Sequence, residues 1–113
     1  MVLKYFLDEV QRKATGSTCY FEFQKGKFEN KFWLNDSLYL HADTFDSLML
    51  FDLFSNSMED FYYYGPTEVN KQAWENLAAK SEENEHWKAV MKELTPWAEE
   101  CFAKYNCFTV CGI

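Results

Sequence analysis

The residues of this chain whose types could carry chemistry are two histidines, four cysteines and four adjacent acidic pairs. A nucleophilic cysteine or serine needs a histidine beside it as base. His41 has only Asp43 two residues on, and His86 lies in the acidic run EENEH, so neither spacing supplies a nucleophile. Cys19, Cys101, Cys107 and Cys111 form no C-x-x-C and no Cys/His pattern suited to zinc. The carboxylate pairs are Asp8-Glu9, Glu59-Asp60, Glu82-Glu83 and Glu99-Glu100. On a helix, such neighbours point about 100° apart and make no dyad by spacing alone. All four glycines fall at turn positions and none builds a phosphate loop. The residue types therefore point away from an enzyme, and no metal or cofactor site is expected.

Charge and composition point toward a protein partner. Eighteen acidic groups against eleven basic ones give a formal charge of −7. That balance opposes binding to nucleic acid and favours a basic protein, although acidity also serves to keep an aromatic-rich chain in solution. Apolar residues make up 48% of the chain, which supports one domain over residues 1–113 with its own core. The opening MVLKYFLDEVQRK contains Asp8 and Glu9 and no long apolar run, so it does not read as a secretory signal. Without an oxidising compartment, four free thiols are expected.

The positions of these residues depend on a central apolar stretch. Between Phe45 and Phe54 only Asp46, Ser47 and Asp52 are polar, which predicts one helix buried on several sides, N-capped by Asp43. That helix is too short to span a bilayer, and no membrane association is expected. Before it, Val2, Leu3, Phe6, Leu7 and Val10 recur at helical spacing, with a strand over Leu3 to Leu7 as the alternative. From Thr18 the period becomes two, and Cys19, Phe21 and Phe23 alternate with polar residues as in a half-buried strand. Lys25-Gly26 and Asn35-Asp36 read as turns bounding a second strand, Lys27 to Leu34, and Ser37 to His41 reads as a third.

After the central helix, the aromatic run Asp60 to Tyr64 reads as extended and Gly65-Pro66 ends it. Asn70 suits the N-cap of a helix through Trp74, Leu77 and Ala78. Trp87, Val90, Met91 and Leu94 mark a further helix, with a bend or fresh start at Thr95-Pro96. The last segment, Cys107 to Ile113, reads as a short strand. Together these elements predict an α+β fold: a small antiparallel sheet, a three-strand meander plus one or two short strands, against four to five helices.

Two surfaces are candidates for partner binding. The first joins Asp52 on the central helix to Glu59, Asp60, Tyr62 and Tyr64, where carboxylates lie beside tyrosines near a loop. The second is the outward sheet face, where the strand period places Tyr20, Trp33 and Tyr39 among Glu22, Glu29, Lys31 and His41. A terminal helix covering that face would turn it into a second small core instead.

The run FYYYGPTEVNKQAWENL, Phe61 to Leu77, resembles a segment of small acidic immunity proteins from bacterial polymorphic toxin and contact-dependent growth inhibition systems. Their pattern is aromatic-Tyr-Tyr-Gly-x-Thr-x-(Ile/Val)-x-(Lys/Glu/Gln)-x-x-Trp. The matching residues here are Tyr62, Tyr63, Tyr64, Gly65, Thr67, Val69 and Trp74. The resemblance covers the middle third of the chain. It implies a cytoplasmic protein that blocks a cognate toxin, often a basic nuclease domain, by covering its active-site surface. It implies no fixed contact residues. An acidic adaptor or nucleic-acid-mimicking inhibitor of another protein is the alternative, and a small enzyme using His41 or His86 is a third reading.

Overall fold

The computed structural model describes residues 3–112. Val2, of the predicted first helix, and Ile113, of the predicted last strand, lie outside the described residues. The chain opens with the short strand β1, Phe6–Leu7, and then helix α1, Glu9–Thr15. The expected opening helix, closed by Thr15-Gly16-Ser17, therefore forms only in its second half: Lys4 and Tyr5 are bent, Phe6–Leu7 is strand within the Leu3 to Leu7 alternative, and the helix from Glu9 ends at Thr15 before Gly16. Two groups of side chains decide this. The carboxylate of Glu93 accepts the backbone N–H groups of Lys4, Tyr5 and Phe6 at 3.0, 2.8 and 2.7 Å, taking donors that a helix could use. Asp8 and Gln11 form a reciprocal capping box at 2.8 and 3.0 Å, which starts the helix at Glu9.

Strand β2, Tyr20–Lys25, and strand β3, Leu38–His41, lie where the period of two predicts them. The strand expected over Lys27 to Leu34 is absent. That segment is an irregular loop in which Asn30 and Trp33 adopt left-handed backbone, at φ 63° for each. Its polar anchors come from β2: Gln24 donates to the Lys31 carbonyl at 2.8 Å, and Glu22 accepts from the Trp33 and Leu34 amides. No residue from Lys27 to Leu34 is buried, and Phe32 is exposed.

The predicted central helix is two helices, α2 at Ala42–Ser47 and α3 at Leu50–Ser57. Met49 breaks them with φ 57°. His41, not Asp43, caps α2: its Nδ1 accepts the Asp43 N–H at 3.1 Å. Phe45, Leu50, Leu53 and Phe54 are buried, as the apolar run requires. Met49 and Phe51, however, are 60% and 40% exposed at the corner.

Strand β4, Thr67–Asn70, leads directly into α4, Lys71–Ser81, where Asn70 Oδ1 accepts the Ala73 N–H at 2.8 Å as predicted. Helix α5, Glu85–Phe102, runs unbroken through Pro96, so the expected restart there does not occur. Proline inside a helix costs roughly 3 kcal/mol or more. The apolar face that spans it, Val90, Met91, Leu94, Ala98 and Cys101, is buried on both sides of the proline and offsets that cost. Strand β5, Cys107–Cys111, follows.

The protein is thus α+β, with five strands and five helices among the described residues. The sheet is antiparallel in the order β1-β3-β2-β5-β4, so β5 enters beside β2 and replaces the expected meander. Cross-strand register puts Phe6, Leu40 and Phe21 in one row and Leu38, Phe23 and Val110 in the next. This face forms the core with α2, α3, α4 and α5. The opposite face carries Leu7, Tyr39, Glu22 and Cys111 in a row, beside Tyr20, Gln24 and Thr109.

Candidate functional site

The α2–α3 corner and the turn after it form one surface. Tyr63 donates its hydroxyl to the Asp46 carboxylate at 3.0 Å, and its ring lies 6.1 Å from that of Phe51. Partial burial, and then the bond to Asp46, raise the Tyr63 hydroxyl above its ordinary pKa. Phe51 also meets the buried Phe61 at 5.8 Å. With Phe61 and Tyr63 turned inward, Tyr62 and Tyr64 point out, 60% and 62% exposed, with their rings 5.8 Å apart edge to face.

The segment Glu59 to Tyr64 is a turn, not the expected strand. The Gly65 N–H closes it onto the Tyr62 carbonyl at 2.8 Å, and the Tyr62 N–H donates to Thr67 Oγ1 at 3.1 Å. Gly65, at φ 38°, lies against the backbone of Gly112, and a Cβ on Gly112 would collide with the Tyr63 carbonyl oxygen. Two glycines thus let the turn seat directly on the end of β5, a long-range contact that fixes the tyrosines.

Of the first candidate set, Glu59, Asp60, Tyr62 and Tyr64 are exposed, and Asp52 is half-buried on α3. Glu59 and Asp60 also line an open polar cleft of about 640 Å³ with Glu68, Gln72 and Asn76. Among the described residues, Asp46, Asp52, Glu59 and Asp60 have no basic partner within ion-pair distance. Met49 and Phe51 belong to the same corner and were missed, because an apolar run reads as core until the helix break is known. Charge segregation could have marked the region. Residues 32–70 contain seven acidic residues and no lysine or arginine, while the rest of the chain holds eleven of each sign and is neutral. The whole formal charge of −7 therefore comes from this span.

The second set does not form an open face. Tyr39 has no exposed surface, Tyr20 is buried and Trp33 is 38% exposed. Helix α1 and the 26–37 loop cover the sheet here, so this face is the second small core. Its centre is Glu22, which accepts the Trp33 and Leu34 amides and the Ser37 hydroxyl, each at 2.8 Å. Tyr39 donates to the Leu34 carbonyl at 2.6 Å, and burial together with the Glu22 charge pushes its hydroxyl up to about 12. The Arg12 guanidinium packs over Trp33 at 4.3 Å and Tyr39 at 5.1 Å.

The remaining chemical groups are placed as follows. His41 caps α2 and meets Tyr20 edge to face at 5.1 Å, while His86 is exposed at the start of α5. All four cysteines are free thiols, and Cys19 alone is exposed. Burial raises Cys101 and Cys107 and pushes Cys111 up to about 12, so these three thiols resist ionisation. Among the described residues, no group of three His, Cys, Asp or Glu side chains could hold a metal ion, and no helix is long and apolar enough to cross a membrane. Comparison with protein-family models, with curated proteins and with solved structures gives no match.

Proposed function

We propose that this chain is an immunity-type inhibitor that binds a basic bacterial toxin domain, a nuclease by preference, and covers its active-site surface in the cytoplasm. One observation carries the reading. Exposed Tyr62, Tyr64, Met49 and Phe51 lie in the same stretch of chain as Asp46, Asp52, Glu59 and Asp60, none of which has a basic partner among the described residues. Carboxylates left free within a span lacking lysine and arginine suit the cleft of an enzyme that grips a phosphate backbone. Aromatic side chains at their centre supply the buried area that anchors a protein interface. The contact set is Asp52, Glu59, Asp60, Tyr62 and Tyr64, joined by Met49 and Phe51. The resemblance of Phe61 to Leu77 to immunity proteins supports the same reading.

The test is inhibition of the toxin domain encoded beside this chain. Equimolar protein is expected to abolish its activity, and the Tyr62→Ala/Tyr64→Ala pair to raise the inhibition constant by about 30-fold or more, the scale of a hot spot. Activity undiminished by the intact protein contradicts the proposal.

A further inference from the structure

Trp33 combines three features that rarely coincide: a bulky side chain, left-handed backbone, and partial exposure. A residue of this size at φ 63° is strained, and such strain persists only where surrounding contacts over-determine it. Here the contacts come from Glu22, whose carboxylate holds the amides of Trp33 and Leu34 and the hydroxyl of Ser37. The result is the adjacent pair Phe32 and Trp33 held at the surface, with Phe32 55% exposed and braced by Phe28 at 5.2 Å. Together with Tyr64 and Pro66 they line a groove of about 350 Å³, with the buried Tyr20 and Glu22 at its base. This is the lower end of the roughly 300–1,000 Å³ range of ligand-sized pockets.

The groove has aromatic walls and a carboxylate at its base. Glu22 Oε2 is occupied by several donors, whereas Oε1 accepts only the Trp33 N–H and keeps acceptor capacity. Within the chain, Trp33 already takes a guanidinium: Arg12 lies over its ring on the buried side, where it also meets Tyr39. Glu22 is the one charged side chain among the residues that line the groove. A planar cation that stacks on aromatic faces and donates to a carboxylate fits this chemistry, and arginine does both better than lysine.

We propose that the groove receives an arginine side chain of the basic partner, a site that rests on the inhibitor reading above and extends its surface round Tyr64 to the sheet. Occupation stacks the guanidinium between the Trp33 and Tyr64 walls and directs an N–H to Glu22 Oε1.

The probe is the capped peptide acetyl-Gly-Arg-Gly-amide, titrated into the labelled full chain at low salt and followed by NMR. Its citrulline counterpart, of equal shape and no charge, is the control. Saturable shifts of the Trp33 indole N–H and the Gly112 amide are expected, about tenfold weaker with citrulline and about tenfold weaker in Phe32→Ala. Equal binding of both peptides, shifts spread over the exposed carboxylates without saturation, or an unchanged Phe32→Ala response overturns the proposal. Phe32 lies outside the contact set of the inhibitor reading, so the two ideas separate. Toxin inhibition lost in the tyrosine pair but unaffected by Phe32→Ala sinks the arginine site alone. Saturable peptide binding with no toxin inhibited sinks the inhibitor reading alone.

Discussion

Replacing Phe45 with alanine is expected to destabilise the fold by about 3–5 kcal/mol, the cost of removing a fully buried phenylalanine. Phe45 has no exposed surface. Its ring stacks on Phe21 of the sheet at 4.0 Å and meets Phe54, Tyr63 and Phe61 at 6.0, 6.0 and 6.2 Å. It therefore joins the sheet, α3 and the tyrosine turn through one side chain, and no neighbour can fill the space without leaving another contact. Phe51→Ala makes the contrast. With 40% of that residue exposed, the loss is expected to be about 1–2 kcal/mol. Chemical denaturation of both variants checks this, and equal midpoints would mean that the corner is packed differently.

The second large effect is expected at Glu22. Glu22→Gln keeps the shape but exchanges one acceptor oxygen for a donor facing three donors: two amides and the Ser37 hydroxyl. Hydrogen bonds to charged groups contribute about 1.5–3 kcal/mol each, and an orphaned buried donor costs a comparable amount. A loss of roughly 3 kcal/mol follows, concentrated in the 26–37 loop. Hydrogen exchange should show the Trp33 and Leu34 amides losing protection while Phe21 and Phe23 keep their rank. Ser37→Ala, which removes one donor and leaves the carboxylate, is expected to cost about 1 kcal/mol. Unchanged protection of Trp33 in Glu22→Gln would show that the loop holds itself.

Period and capping made much of the fold legible in the sequence. Phe21, Phe23, Leu38 and Leu40 alternate as the sheet requires, Asn70 caps α4, and Val90, Met91 and Leu94 lie on the buried face of α5. What escaped depended on groups distant in sequence. Glu93 lies far from the amides of Lys4 to Phe6 that it gathers, and Glu22 far from the loop it ties down. The break at Met49 also has no local signal, because neither glycine nor proline stands there. The same limit explains the candidate residues. Tyr62 and Tyr64 are outward because Gly65 packs on Gly112, while Tyr39 is buried because Arg12 and Trp33 close over it, with Tyr20 packed beside it and His41. Proline at 96 shows the reverse case, a strong local signal overridden by a long buried face.

The inhibitor reading is tested most directly by the rate at which this chain associates with the toxin domain proposed as its partner, at several ionic strengths. If the free carboxylates steer the encounter, the wild-type rate falls steeply as salt rises. Glu59→Lys/Asp60→Lys should then slow association about tenfold or more at low salt and flatten that dependence, with little effect on folding because both residues are exposed. A rate that ignores salt, and is unchanged by reversing both charges, contradicts the assignment of this surface to the partner.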